Sequence, residues 1–350
     1  MGAATDRGTP PGGAATPGDS PARGAQRAPL RLGYFGPEGT FTHEALNAST
    51  GGLVFEPVAM PTIYDAVMAV HARTVDQALV PIENSLEGSV NATLDTLAMD
   101  AEDVAIVGEV VMPISHCLIA RGRIALSAIE VIVSHPQANA QCARFIRDRL
   151  PGARVEIGSS TAEAVRTVAA HDGPWAALGN RVAAERYGCE VLEAGVEDVA
   201  GNETRFVWVA PAGTAPGAPQ ATGGGLDEGE GEDEGAGEDQ TPGSQGAGGQ
   251  AAGSHAASSQ ALECAFKTAI VFWGAGSEAP GWLVACLGEF AQRGVNLTRI
   301  ESRPRKLGLG RYMFFADLEG GEDEAAIAAG LAGLRTRVET LRVLGSFPSA

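Results

Sequence analysis

Small polar residues stand where short apolar runs turn into helix-like patterns in the first 210 residues of the sequence. A helix start presents unpaired backbone N–H groups and the positive end of the helix dipole, so converging starts can bind an anion without lysine. The residues with this placement are Thr40, Asn84, Ser85, Ser134, Ser160 and Thr161. Their donors predict a site for a compact polyanion, and Arg205 would add a bidentate positive charge for a carboxylate.

Each of these signals also has a structural explanation. Ser160 with Glu163 fits a capping box, and the segment GPEGT, residues 36–40, fits a tight turn. The segment PIENS, residues 81–85, is harder to explain in this way. Its three polar residues directly follow an apolar run, which is costly unless they meet a ligand or solvent. PIENS therefore favours a functional role more than the other two segments do.

The histidines and cysteines indicate neither a nucleophile nor a metal site. His116 and His135 each follow a serine, but no G-x-S-x-G segment is present, so we interpret both as hydrogen-bonded structural residues. The five cysteines are odd in number and scattered, and no two histidines have metal-ligand spacing. We therefore expect reduced, mostly buried thiols and no metal.

The charge distribution argues against nucleic acid and membranes as partners. The formal net charge is −18, and eight acidic residues lie in one tract, residues 227–239, so −10 remains for the rest. Such a balance repels phosphate backbones and anionic lipids, and the chain has only two lysines, Lys267 and Lys306. Because no run of about 18 apolar residues occurs either, we expect a cytoplasmic protein.

Composition divides the chain into two folded domains. Residues 212–262 are almost wholly Gly, Ala, Ser, Gln, Pro, Asp and Glu, which predicts a disordered acidic linker, and residues 1–29 read as a disordered extension. Residues 30–211 repeat an apolar run, a small-residue turn and a helix-like pattern five times, as α/β domains do. We expect the segments on either side of the linker to be separate domains rather than halves of one core.

Residues 266–347 follow the order strand, helix, strand, strand, helix, strand, which is a ferredoxin-like plan. Each predicted helix carries an apolar stripe at helical spacing that should pack on one sheet face. The stripes are Leu283, Cys286, Leu287 and Phe290 in the first helix, and Ile327, Leu331, Leu334 and Val338 in the second.

Five segments, in this order, resemble the signature set of prephenate dehydratases. They are GPEGTF (Gly36 to Phe41), PIENSLEGSV (Pro81 to Val90), SHPQANAQC (Ser134 to Cys142), SSTAEAV (Ser159 to Val165) and NETRF (Asn202 to Phe206). The C-terminal PGWL and NLTRIESRP, residues 280–283 and 296–304, resemble the ACT domain that such enzymes carry. Together the matches span all but the N-terminal extension and the linker.

The resemblance implies an α/β catalytic domain of two lobes, similar to periplasmic binding proteins, with the active site in the cleft between them. It implies the conversion of prephenate to phenylpyruvate, carbon dioxide and water, without cofactor or metal. Thr204 would donate a hydrogen bond to the departing hydroxyl, while Arg205 and Phe206 would hold a carboxylate and the ring. The implied substrate-binding residues are Thr40, Asn84, Ser85, Ser89, Ser160, Thr161, Arg205 and Phe206.

The resemblance also implies that L-phenylalanine binds between two ACT domains and inhibits the enzyme. The corresponding residues are Gly281, Trp282, Leu283, Asn296, Leu297, Glu301, Ser302, Arg303 and Pro304. Trp282 stands where the family usually has alanine, so we expect phenylalanine binding with altered affinity. Paired ACT domains fit a homodimer or homotetramer; a domain that only dimerises the enzyme is the alternative.

Three other functions are alternatives, and the first of them shares these motifs. An arogenate dehydratase differs only in accepting an amino group in place of the keto group of prephenate. A non-aromatising prephenate decarboxylase should lack the leaving-group donor, so the intact segment TRF argues against it. A non-catalytic amino-acid sensor would combine a binding-protein-like cleft with an ACT domain, and Thr204 with Arg205 disfavours that function.

Overall fold

The computed structural model describes residues 28–219, 265–274, 276 and 279–350. The predicted N-terminal extension lies outside the described residues except for residues 28 and 29, and the predicted linker does so except for residues 212–219. The elements of the first part are β1 (Leu30–Phe35), α1 (Phe41–Ser49), β2 (Phe55–Met60), α2 (Ile63–His71), β3 (Gln77–Asn84), β4 (Gly88–Ser89), α3 (Asn91–Met99), β5 (Val104–Pro113), β6 (Cys117–Ala120), β7 (Val131–Ser134), α4 (Pro136–Gln141), α5 (Ala143–Arg149), β8 (Arg154–Ile157), α6 (Thr161–Ala169), β9 (Trp175–Gly179), α7 (Arg181–Tyr187), β10 (Glu190–Ala194) and β11 (Glu203–Pro211).

These elements form two lobes, each built on its own mixed sheet. The first lobe has the strand order β2-β1-β3-β11-β5, with β4 paired to β3, and the second has the order β10-β6-β9-β7-β8. The chain passes between the lobes twice, from β5 to β6 and back from β10 to β11. The predicted α/β architecture of two lobes is confirmed.

Strand β11 is apolar on both faces because helices cover both sides of the first sheet. Val207 and Val209 pack into the cluster that contains helices α2 and α3, whereas Phe206 and Trp208 pack into the cluster that contains α1. The alternation continues toward the start of the strand. It therefore decides which side of the sheet each residue of the TRF segment faces.

The five predicted strand-to-helix junctions are confirmed, from β1 to α1, β3 to α3, β7 to α4, β8 to α6 and β9 to α7. Ser160 caps α6, since its hydroxyl accepts a hydrogen bond from the Glu163 N–H at 3.0 Å. The second half of the predicted capping box is absent among the described contacts, because the Glu163 carboxylate pairs with Arg166 instead. Thr40 caps α1 in the same way, through the N–H of His43.

The C-terminal part has the predicted ferredoxin-like plan. Its elements are β12 (Phe266–Trp273), α8 (Trp282–Ala291), β13 (Leu297–Pro304), β14 (Tyr312–Glu319), α9 (Ala325–Arg335) and β15 (Thr340–Pro348). The sheet order is β13-β14-β12-β15. Both predicted apolar stripes pack in one cluster against one face of this sheet, although Val338 lies beyond the end of α9.

The other face of the C-terminal sheet packs on the first lobe. Ala269, Val271 and Phe315 belong to the same buried cluster as Val67 of α2 and Leu94 of α3. A sheet with helices on one side only leaves its second face apolar, and that face must be covered. The expectation that the two segments would not share one core is contradicted at this face.

None of the described helices is long and apolar enough to cross a membrane.

Candidate active site

A cavity of about 300 Å³ lies between the two lobes and receives side chains from both. The first lobe contributes residues of α1, β3 and β11, and the second contributes residues of α4 and α6. Its polar lining residues are Thr40, Thr42, Asn84, His116, His135, Gln137, Gln141, Ser159, Ser160, Thr161, Asn202 and Thr204. The apolar part of its wall includes Phe35, Phe41, Ile114 and Phe206.

Thr204 and Asn84 form the polar centre of the cavity. Strands β3 and β11 pair in antiparallel fashion with these two residues opposite each other. The Asn84 Nδ2 donates to Thr204 Oγ1 at 2.9 Å and to Asn202 Oδ1 at 2.8 Å, and both residues are only 8% exposed. Because Thr204 Oγ1 accepts this bond, its own hydrogen is left to donate to a group in the cavity.

The orientation of the Asn84 amide is set by the backbone. Its Oδ1 accepts hydrogen bonds from the N–H groups of Leu86 and Glu87, both at 3.0 Å, in the turn that follows β3. An amide oxygen held in this way turns the amide nitrogen toward Thr204. The polar residues of PIENS are thus explained by a turn and a cavity contact together.

His116 and Gln141 extend the polar network into the second lobe. His116 is 3% exposed, and its Nε2 lies 2.9 Å from Gln141 Oε1, a carbonyl oxygen that can only accept, so Nε2 carries the hydrogen. Its Nδ1 is buried and has no hydrogen-bond partner among the described residues. Burial lowers the pKa of His116, so the ring is neutral at neutral pH.

Three helix starts line the cavity, and those of α1 and α6 lie at the predicted residues. Asn84 ends β3 and Ser85 lies in the turn after it, since α3 begins only at Asn91, and Ser134 does not line the cavity. Thr40 at the start of α1, Val90 at the start of α3 and Ser160 at the start of α6 all line it. Lys, Arg, Asp and Glu are missing from its described lining. Backbone dipoles, hydroxyls and amides are therefore the groups available to an anion at this site.

Three predicted substrate-binding residues do not line the cavity. Ser85 Oγ faces Asn202 and accepts from the N–H of Glu203, and Ser89 Oγ donates to Glu301 of the C-terminal domain at 3.1 Å. Arg205 lies on the opposite face of β11 from Thr204 and Phe206, because neighbouring residues of a strand point to opposite faces. The expected contact between Arg205 and a substrate carboxylate is contradicted by this placement.

The predicted effector residues lie on α8 and β13 of the C-terminal domain. Trp282 packs against Phe272 and Phe314, and its Nε1 donates to the carbonyl oxygen of Arg337 at 3.0 Å. The remaining predicted residues are distributed over the start of α8 and along the edge strand, at Gly281, Leu283, Asn296, Leu297, Glu301, Ser302, Arg303 and Pro304.

Several cavity residues were missed in the sequence. His116 and His135 were interpreted as structural, yet both line the cavity. Gln137 and Gln141 lie four residues apart on α4 and therefore on one helix face, which is a signal that the segment SHPQANAQC offered. No local sequence pattern predicts that His116 lies where the chain passes from the first lobe to the second.

Comparison with known proteins identifies relatives over most of the chain. The model of the family described as prephenate dehydratase matches residues 32–213. A prephenate dehydratase of Mycobacteroides abscessus is 35% identical, covering 91% of this chain and 90% of that protein, and one of Amycolatopsis methanolica is 36% identical, covering 91% and 89%. The crystal structure of a prephenate dehydratase from Arthrobacter aurescens in complex with L-Phe is 32% identical with a TM-score of 0.72, covering 91% of this chain and 90% of that chain.

Proposed function

This chain belongs to the prephenate dehydratase family, and from that premise we propose that it converts prephenate to phenylpyruvate, carbon dioxide and water in phenylalanine biosynthesis. In this reaction the ring C–O bond breaks and the hydroxyl leaves as water after receiving a proton. The C–C bond to the ring carboxylate also breaks, and its electron pair completes the aromatic ring. Aromatisation drives the step, so the protein's task is to position the dianion and assist the leaving group.

The observation that carries the proposal is the hydrogen bond from Asn84 to Thr204. Since the amide occupies the acceptor side of the hydroxyl at 2.9 Å, the Thr204 hydrogen is directed to a ligand oxygen. We assign Thr204 as the donor to the departing hydroxyl. Thr40, Asn84, Ser160, Thr161 and the start of α3 would hold the substrate's carboxylates and hydroxyl, and Phe206 would contact its ring.

The test is an ultraviolet assay of phenylpyruvate formation from prephenate with wild type, Thr204→Val and Thr204→Ser. Valine keeps the shape of threonine but cannot donate, so turnover should fall by at least about a hundredfold, the size seen when a catalytic hydrogen-bond donor is removed. Serine keeps the hydroxyl and should retain a measurable share. Wild-type turnover in Thr204→Val would contradict the assignment.

The same assay separates the alternatives. Arogenate is supplied in parallel, and turnover of arogenate alone would make the chain an arogenate dehydratase. No turnover of either compound would favour a non-catalytic amino-acid sensor. The carboxylates of both substrates fit the same helix starts, so only the assay distinguishes an amino from a keto group.

We infer that the C-terminal domain is an ACT domain that binds L-phenylalanine and regulates turnover. Support comes from its ferredoxin-like order and from the Arthrobacter aurescens relative, whose structure contains L-Phe. The indole of Trp282 packs on Phe272 and Phe314 beside the predicted effector residues, so we expect binding with altered affinity. Calorimetry that detects no heat with phenylalanine, tyrosine or tryptophan would overturn this.

The location and assembly follow as proposals from the same premise. A biosynthetic enzyme of this family is expected in the cytoplasm, and paired ACT domains would assemble it as a homodimer or homotetramer. Light scattering of the purified chain, with and without phenylalanine, measures the second of these directly.

A further inference from the structure

A cluster of buried charges joins the first lobe to the C-terminal domain. Arg205 of β11 binds Asp317 of β14 at 2.6 Å and Glu109 of β5 at 3.1 Å. Lys267 binds Glu109 at 2.6 Å, and Arg299 binds Asp317 at 3.0 Å. The carboxylates are 0% and 1% exposed and the Arg205 side chain is 10% exposed. We call Arg205, Glu109, Lys267, Asp317 and Arg299 the interdomain ion cluster.

Asp317 of the interdomain ion cluster is held in its charged form by its two guanidinium partners. Burial acts to raise the pKa of Asp317, but the guanidinium groups of Arg299 and Arg205 outweigh it and leave that pKa below its ordinary value. A buried carboxylate with two guanidinium partners fixes both of them in direction as well as in charge. The position of Arg205 is therefore determined in part by a residue of the C-terminal domain.

Arg205 lies beside a β-bulge in the strand next to β11. The register between β11 and β3 shifts between Arg205 and Phe206, because β3 has one extra residue there, Ile82, while the pairing of β11 with β5 continues from Glu203 to Trp208. On the cavity side, Thr204 is bound by Asn84. On the opposite side, the Arg205 guanidinium also binds Glu83, its cross-strand partner on β3, at 3.2 Å.

We propose that Asp317 is a positioning residue for the active site: by binding Arg205 across the domain interface, it holds the end of β11 so that the Thr204 hydroxyl faces the cavity. The C-terminal domain thereby supplies part of the geometry that turnover requires, even with no effector bound. The kinetic part of this inference rests on the proposed function.

A second ion pair at the same interface provides a matched control. Arg303 of β13 binds Asp95 of α3 at 3.0 and 3.1 Å, and Asp95 does not line the cavity. Removing either aspartate's charge breaks an interdomain pair. Only Asp317 is connected to Thr204 through a neighbouring residue, so a general weakening of the interface and a loss of positioning give different results.

The kinetic experiment compares Asp317→Asn, Arg205→Lys, the double variant and Asp95→Asn in the full-length chain. Because small displacements of a catalytic group cost up to about a hundredfold, kcat should fall at least about tenfold in Asp317→Asn, with KM within about twofold. Lysine keeps the charge but lacks the planar fork of N–H donors with which Arg205 reaches Glu109 and Asp317, so kcat should also fall in Arg205→Lys. The double variant should be no slower than the worse single variant, whereas Asp95→Asn should keep wild-type kcat.

A second measurement does not depend on the substrate. Hydrogen exchange of the amides of residues 203–206 should become faster in Asp317→Asn and Arg205→Lys, and should stay unchanged in Asp95→Asn and in α6 of the second lobe. If Asp317→Asn does not fold, Arg205→Lys carries both measurements. A folded variant with wild-type kcat, a raised KM alone, or wild-type exchange at 203–206 would overturn the inference. If the wild-type protein does not turn over prephenate, the proposed function is wrong. The hydrogen-exchange result then decides alone whether Asp317 positions β11.

Discussion

Asn84 gives the hydroxyl of Thr204 its direction. The Asn84 oxygen accepts from two backbone N–H groups, and the two hydrogens of its nitrogen are shared among Thr204, Asn202 and the Glu203 carbonyl oxygen. If an acceptor replaced the Asn84 nitrogen, Thr204 Oγ1 would donate to it instead of accepting from it. The donor role proposed for Thr204 thus depends on a neighbour that need not touch the reacting bond itself.

Asn84→Asp tests this dependence with almost no change in shape. The carboxylate would accept the Thr204 hydrogen, so the donor to the substrate would be lost and turnover should fall by at least about a hundredfold. Its negative charge beside an anion site should also raise KM. The measurement is steady-state kinetics with prephenate on a variant shown to be folded by circular dichroism; near-wild-type kcat would contradict the directed hydroxyl.

His116 predicts a pH dependence of stability. Burial lowers its folded-state pKa below the ordinary value of 6.5, so protons bind the unfolded chain more readily than the folded one. The contribution of neutral His116 to the free energy of unfolding is therefore complete above about pH 6.5. It is lost as the pH falls through the lower folded-state pKa. Urea unfolding between pH 5 and pH 8 should show less decline in His116→Gln than in wild type; equal declines would assign the effect to other groups.

At the scale of elements, the strand-to-helix junctions were predictable because each leaves a local pattern: an apolar run, a small polar cap and a helical repeat. Thr40 and Ser160 could be placed in the site on that basis. Arg205 could not be placed correctly, because a neighbour of Thr204 in sequence need not be its neighbour in the site. In an extended strand, adjacent residues face opposite sides, and Arg205 meets a partner 112 residues away.

Ser160→Ala separates the two roles of a helix start. Loss of the cap on α6 should lower the free energy of unfolding by about 1 kcal/mol, and Thr62→Ala, which removes the equivalent cap on α2, should do the same. Only Ser160 lines the cavity. Chemical denaturation and kinetics together should show similar stability losses but a raised KM for Ser160→Ala alone; a raised KM in both would mean that stability is the cause.

At the scale of the whole molecule, the first lobe and the C-terminal sheet share one buried cluster. The shared cluster could not be predicted from the composition of the segment between the two domains. That composition indicates how the domains are connected, but not which of their surfaces touch. The shared face includes Val271 and Phe315 on one side and Leu94 on the other. Arg342 adds hydrogen bonds to the carbonyl oxygens of Leu97 and Ala98 at the end of α3.

One cooperative heat-absorption peak is expected for the first lobe and the C-terminal domain. Two domains that bury a common apolar face lose it together, so neither should melt while the other stays folded. Differential scanning calorimetry of the full chain measures this. A chain with a protease site inserted at residues 220–264 should elute as one species after cleavage, and separate elution of the pieces would show that the face is too weak to hold them.

The continuous chain between the two parts changes what their contact has to achieve. An unlinked subunit would diffuse away each time it dissociated. A domain on the same chain stays at an effective concentration of about millimolar and therefore rebinds quickly. The contact that carries Asp317 to Arg205 therefore need not be strong enough to retain the C-terminal domain. This contact can therefore weaken and form again without loss of the C-terminal domain. The proposed regulation of the active site by that domain would require such a reversible contact.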